Sequence, residues 1–342
     1  MSSSIDAAAA RSAPGVAAVP PTEAPHSDMV WIPGGDFVMG SDRHYPEEAP
    51  AHRARVDGFW IDRFPVTNER FAQFVEDASH ATLAELPPNP AEYPGAAASM
   101  LCPGSLVFEP PCDSVDVSKP SWWSFKRGAD WMHPLGPGSS LRGLDQHPVV
   151  HVTYSDALSF ASHYGMMLPT EAEWELAARG GLDRAEYAWG DELAPDGRPM
   201  ANFWQGSFPY QNTMEDGYAR TSPVDAFPAN GYGVYDMIGN VWEWTIDWYR
   251  PRQDGAHHKN CCIPNNPRSV SPDGSYDPRP QASRIPRKVL KGGSHLCAPN
   301  YCRRYRPAAR HPQAIDTSSC HVGFRCIVRP GVPTILYTED RR

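Results

Sequence analysis

Proline and glycine set the strongest limit on this chain: it carries 37 prolines and 27 glycines against 21% charged residues. Proline removes a backbone donor, and glycine marks positions that need unusual backbone angles. Neither belongs inside long helices or central strands. Punctuation this dense predicts short elements joined by long ordered loops and excludes a helix bundle. The 11 tryptophans argue against disorder, because disordered chains are poor in aromatics. With 342 residues there is ample chain for a large buried core. No run approaches the roughly 18 apolar residues of a membrane-spanning helix. A formal net charge of -9 argues against nucleic-acid and anionic-membrane binding and suits a partner peptide bearing Arg or Lys.

Residues 1–28 lack a charged segment followed by a Leu-rich one, so they read as a disordered Ala/Pro/Ser leader rather than a secretory signal. A cytoplasmic location is the expectation. In a reducing compartment, paired cysteines point to metal binding or catalysis more often than to disulfides.

From residue 29 onward no linker or repeat interrupts the chain, and one domain over 29–342 is expected. Met29–Ser41 alternates apolar residues around Pro-Gly-Gly and predicts a hairpin; Ala54–Thr67 predicts a second strand pair broken at Asp57-Gly58. A helix follows, capped by Thr67, with Phe71, Phe74 and Val75 on one face. Residues 83–146 show no period and predict a long surface excursion. Val149–Thr153 reads as a strand, followed by a helix capped by Ser155 and ended by Gly165. The clearest helix is LPTEAEWELAARGG: Thr170 and Glu173 form a capping box, Trp174, Ala177 and Ala178 a buried stripe, and Gly180 the stop. KVLKGGS and VGFRCIV predict late core strands.

Two cysteines stand out in KGGSHLCAPNYCRRYRPAAR, where Cys297 and Cys302 have four residues between them. Spacing alone leaves a disulfide, half a zinc site and a catalytic pair all open. The wider sequence narrows the choice. WIPGGDFVMGS, PVTNERFAQFV, HPVVHVTYSDA, LPTEAEWELAARGG, YAWGDEL, NGYGVYDMIGNVWEWTIDWY, KGGSHLC and GFRC occur in that order. Over roughly residues 29–329 this series resembles the formylglycine-generating enzyme family, the sulfatase-modifying factors. The resemblance implies an α+β fold like that of C-type lectins, with little regular secondary structure.

The resemblance also implies a chemistry. Copper-dependent members carry a cysteine pair between KGGS and RYR, where Cys297 and Cys302 stand. Two thiolates are soft ligands suited to Cu(I), whereas a structural zinc wants two further ligands. The implied reaction oxidises a cysteine of a sulfatase-type Cys-x-Pro-x-Arg peptide to Cα-formylglycine with O2. The implied partner is an unfolded or nascent sulfatase-type polypeptide. Ser294 and Tyr301 match positions near the thiols or substrate, and Arg304 and Arg306 are candidates to orient peptide carbonyls. Two structural calcium sites are implied. One uses Asn202, Asp216 and the carbonyls of Phe203 and Tyr218; the other uses Asp236, Glu243 and the carbonyls of Gly239 and Val241. The competing expectation is a non-catalytic, lectin-like binding module on the same scaffold. Among the remaining cysteines, Cys102 and Cys112 are candidates to pair on oxidation, and His257–Cys262 is a weaker metal cluster.

Overall fold

The computed structural model describes residues 20–21, 23–251, 263–279 and 284–332. Most of the expected leader and the whole of His257–Cys262 lie outside the described residues. The chain folds as an α+β structure of short elements, in keeping with its proline and glycine content. Strands β1 (Met29–Ile32), β2 (Gly35–Met39), β3 (His52–Val56) and β4 (Phe59–Asp62) open it. They do not form the two expected hairpins. β1 pairs antiparallel with β4, and β2 with β3, so the segment folds back on itself as a nested pair of ribbons. The physical reason is at the two corners. A side chain on Gly34 would strike the backbone of Val56, Asp57 and Gly58, and one on Gly58 would strike the Trp31 ring. The glycines serve close approach of two corners rather than tight hairpin turns.

Helix α1 (Asn68–Ala78) is capped as expected, the Thr67 hydroxyl accepting from the Arg70 N–H, with Phe71 and Phe74 buried. Residues 83–146 are not merely surface. They contain a hairpin, β5 (Gly104–Phe108) and β6 (Trp123–Arg127), and bring Trp122 and Phe108 into a second apolar cluster with Trp204, Phe208 and Leu296. Val149–Thr153 is buried but forms no strand. His151 adopts φ 61°, which breaks the extended run, and its ring bonds the Ser105 hydroxyl and the Pro134 carbonyl. Helix α2 (Tyr154–His163) starts two residues earlier than expected, because Thr153 and Asp156 form its capping box and Ser155 does not cap it.

Helix α3 (Glu171–Arg179) follows the sequence closely, with the Thr170–Glu173 box and Gly180 in the left-handed conformation. All nine of its residues are buried, not only the expected stripe. Its acidic and basic members are satisfied by partners: Glu175 by Arg179 and Lys291, and Glu171 by Arg310. Strands β7 (Trp242–Trp248), β8 (Arg287–Lys291) and β9 (Arg310–Ala314) build the largest sheet, with β10 (Val322–Gly323) parallel to β7. VGFRCIV is not one strand. It divides between β10 and β11 (Ile327–Val328), and β11 completes the β1–β4 sheet. At the crossing, the Arg325 side chain spans between sheets, donating to both oxygens of Glu243 and to the carbonyl of Tyr235. Among the described residues no helix is long and apolar enough to cross a membrane.

Candidate active site

The cysteine pair sits at the end of β8. Gly292 and Gly293 have φ 94° and 74°, and a side chain on Gly293 would collide with the Arg304 backbone. The glycines therefore let the chain turn off the sheet and return against itself. The loop is pinned from below: the His295 N–H donates to the Asn240 carbonyl at 2.9 Å, and the Trp204 N–H to the Cys297 carbonyl at 3.0 Å. The N–H groups of Tyr301 and Cys302 both donate to the Ala298 carbonyl, winding one tight turn between the cysteines. That turn places the two sulfurs face to face, 3.3 Å apart. The separation is too long for a disulfide of about 2.05 Å. It is short enough for the sulfurs to share a proton or a metal.

The two thiols are not equivalent. Cys297 is buried, and Cys302 is partly accessible. Burial, reinforced by Cys302, pushes the Cys297 thiol well above its ordinary value. Cys302 is brought down to about 7, first by the hydrogen bond from Cys297 and then, against burial, by the Arg304 guanidinium. Cys297 thus keeps the proton and donates it toward a Cys302 thiolate.

Ser294 is fully buried at the floor, its N–H directed at the Cys297 sulfur at 3.4 Å and its hydroxyl accepting from the Leu296 N–H. Tyr301 is 39% exposed, stacked on Phe208 at 4.6 Å and edge-on to Trp122 at 5.4 Å. It is the exposed ring of an otherwise buried aromatic cluster, next in the chain to Cys302. Arg304 does not reach freely toward solvent. Its Nη1 lies 3.5 Å from the Cys302 sulfur, its Nη2 2.5 Å from Glu47, and its plane 3.8 Å from the centre of the Tyr45 ring. Arg306 is buried in a two-bond pair with Glu48. Sequence reasoning missed Tyr45, Glu47, Trp122 and Phe208. Trp122 lies in the Trp-rich excursion, but nothing local signalled Phe208, Tyr45 or Glu47.

The donor set can be matched to a metal on chemistry alone. A closed zinc site needs four ligands. Among the described residues no group of three or more His, Cys, Asp or Glu gathers to hold a metal. His295, the histidine nearest in sequence, directs its Nδ1 to the Asn240 carbonyl. Two soft sulfurs with one accessible side fit Cu(I).

The two oxygen sets differ. In the first, the Phe203 carbonyl and Asp216 Oδ2 both converge on the Gln205 amide nitrogen, so acceptors face one point where a hard cation would fit. In the second, Asp236 Oδ1 is buried with no hydrogen-bond partner among the described residues, and burial raises that carboxyl to about 7. Glu243 is already engaged by Arg325 and the Trp174 Nε1–H. The second set therefore fits a cation through Asp236 but offers it a carboxylate already neutralised at Glu243.

Comparison with known proteins agrees with this architecture. Residues 16–330 match the sulfatase-modifying factor enzyme 1-like domain. The chain is 50% identical to the formylglycine-generating enzyme of Mycobacterium tuberculosis, covering 89% of this chain and 98% of that protein. It is also 36% identical to the inactive C-alpha-formylglycine-generating enzyme 2 of Mus musculus, over 89% of this chain and 87% of that one. Among solved structures, PvdO from Pseudomonas aeruginosa is similar at a TM-score of 0.58 and 21% identity, covering 89% of this chain and 95% of PvdO, a likeness of fold. The domain match and the extent of these identities show that the chain belongs to the formylglycine-generating enzyme, or sulfatase-modifying factor, family.

Proposed function

We propose that this protein oxidises a cysteine in a sulfatase-type polypeptide to Cα-formylglycine, using O2 and a Cu(I) ion held by Cys297 and Cys302. The observation that carries the reading is the reduced sulfur pair, 3.3 Å apart with one member accessible. Relatives named both active and inactive lie within reach of this sequence, so likeness alone does not decide activity.

When bound, copper supplies the one-electron chemistry with O2 that no side chain provides. The chain's own residues do the rest. Cys302 is the thiolate ligand at the surface, and Cys297 is the buried ligand that surrenders its proton when metal binds. The Ser294 N–H fixes the Cys297 sulfur from beneath. An incoming peptide cysteine approaches on the Cys302 side, past the exposed ring of Tyr301, which the buried Phe208 and Trp122 hold from behind. The exposed part of the Tyr301 ring suits the proline of an extended Cys-x-Pro-x-Arg segment.

The electron balance requires a second reductant. Taking the peptide Cβ from thiol to aldehyde, with sulfur leaving as sulfide, removes two electrons. Reducing O2 to water consumes four. Two external thiols, oxidised together to one disulfide, supply the other two. The reading expects a reducing, cytoplasmic setting, and calcium at the Asn202–Asp216 and Asp236 sets as a structural ion.

The test is direct. Copper-loaded protein, O2, a thiol reductant and a Cys-x-Pro-x-Arg peptide should yield an aldehyde product by mass spectrometry. Cys297→Ser and Cys302→Ser should each abolish it with the circular dichroism spectrum unchanged. Peptide that binds but is never converted, with full copper loading, would return the protein to the binding-module reading.

A further inference from the structure

The residues nearest the reacting sulfurs do not hold Arg304 in place; a distant segment does. Residues 43–48 run from β2 across the cysteine loop and contact it at several points. The Tyr45 ring lies flat under the Arg304 guanidinium, 3.8 Å from its centre. The Tyr45 hydroxyl accepts from the Arg303 N–H at 3.0 Å. Glu47 Oε1 accepts from Arg304 Nη2 at 2.5 Å and Nε at 3.2 Å, leaving Nη1 directed at the Cys302 sulfur at 3.5 Å. Beside it, Glu48 takes both ends of Arg306, which also donates to the Arg303 carbonyl. A flexible arginine has about 2 kcal/mol of rotamer freedom to lose. Here a ring below and a carboxylate at one edge fix the plane, so Nη1 is left directed at the sulfur.

We propose that Tyr45 and Glu47 are positioning residues that clamp Arg304 so that its free N–H points at the Cys302 sulfur and offsets the negative charge of the metal-bound thiolates. The metal half of this inference rests on the function proposed above; the clamp itself does not. Two alternatives are distinguishable. Glu47 could act only as a charge near the site, in which case the shape of its replacement is irrelevant. Arg304 could instead serve the peptide, in which case the loss appears in substrate binding.

The experiment compares Glu47→Ala, Glu47→Gln and Tyr45→Leu in the full chain. Glutamine keeps an acceptor at the same reach without the charge; alanine removes both. In metal-free protein, the Arg304 Nε–H resonance, assigned by its disappearance in Arg304→Lys, should be sharp and slowly exchanging in wild type. It should persist in Glu47→Gln and vanish in Glu47→Ala and Tyr45→Leu. Cu(I) affinity, by competition with a chromophoric chelator, should fall about tenfold in Glu47→Ala and recover most of that in Glu47→Gln, the scale of one charge-assisted hydrogen bond. Turnover of the peptide should show a matching loss in kcat, with KM within about twofold.

Glu47 and its partner are each only 19% exposed in their side chains, so Glu47→Ala should also lower the melting temperature, by more than Glu47→Gln, and the resonance and the split between kcat and KM read the clamp apart from stability. Equal behaviour of the alanine and glutamine variants would overturn the clamp, as would a loss confined to KM. Failure of wild type to bind copper or turn over would instead strike the proposed function. The metal-free spectra would then still decide the clamp.

Discussion

Cys302 and Cys297 face one another yet meet different surroundings, and that difference has a measurable consequence. Cys302 stands at about 7, held there by the Cys297 thiol and the Arg304 guanidinium, whereas burial holds Cys297 far higher. Only the thiolate is a nucleophile. In metal-free protein a small alkylating reagent should therefore label Cys302 first. Its rate should rise with pH up to about 7 and level off above, falling about tenfold per unit below as the thiolate is protonated. Short exposure followed by peptide mass spectrometry reads the order. Labelling of Cys297 first would show that the assigned asymmetry is reversed. At this scale the pair itself was legible in sequence, because its partners are five positions apart and one tight turn joins them. The residues around it were not. Glu47 reaches Arg304 across 257 positions, and Trp122 reaches Tyr301 across a segment with no period at all. No local pattern encodes a contact made only when distant loops stack.

Elements were legible where their signals are chemical and local. Thr170, Glu173 and Gly180 cap α3 as the sequence indicates, since each acts within one turn. Pairing of β1 to β4 was misjudged for the opposite reason. Alternation marks a strand but carries no information about its neighbour, and Pro-Gly-Gly looks the same at a hairpin and at a packed corner. The corner makes a sharp prediction. Gly34→Ala places a methyl against the Gly58 N–H and the Val56 carbonyl, whereas Gly35→Ala has nothing within 4 Å. Neither position lies in the left-handed region, so sterics alone separate them. Gly34→Ala should cost about 1–3 kcal/mol by overpacking, and Gly35→Ala should stay within about 0.5 kcal/mol. Denaturant unfolding of both variants gives the comparison. Equal stabilities would mean that the two corners are not held against each other.

The molecule as a whole stores acid sensitivity in its interior. His151 and His311 are lowered to about 4 by burial, and His321 lies well below its ordinary value for the same reason. Each is neutral in the folded protein and takes up a proton near 6.5 once unfolded. The unfolded state therefore binds more protons as pH falls through 6.5, and stability drops. For a histidine moved that far, the loss between pH 7 and pH 5 is about 2 kcal/mol. His295, also at about 4, adds to it. Asp236 acts in the other direction. Raised to about 7, it is protonated in the folded state across the same window while the unfolded carboxyl stays ionised, a gain of about 2 kcal/mol on acidification. Burial raises Asp62, Asp216, Asp247 and Asp316 as well, and they act with Asp236, so the histidine share is read by comparison: in chelator, the melting temperature of His311→Gln should fall less from pH 7 to pH 5 than that of the parent protein. Saturating calcium adds a second axis. An ion bound only by the native state raises the midpoint by mass action, and it needs its carboxylates ionised. The calcium-dependent gain should thus be largest above pH 7 and shrink toward pH 5, and Asp216→Asn should reduce it. Asp216 is the better probe than Glu243, whose removal would strand the buried Arg325 whether or not calcium binds. Melting curves over that grid of pH and calcium decide both points. A His311→Gln midpoint that tracks the parent between pH 7 and 5 in chelator would remove that buried histidine from the account, and a parent midpoint indifferent to calcium at every pH would remove the metal.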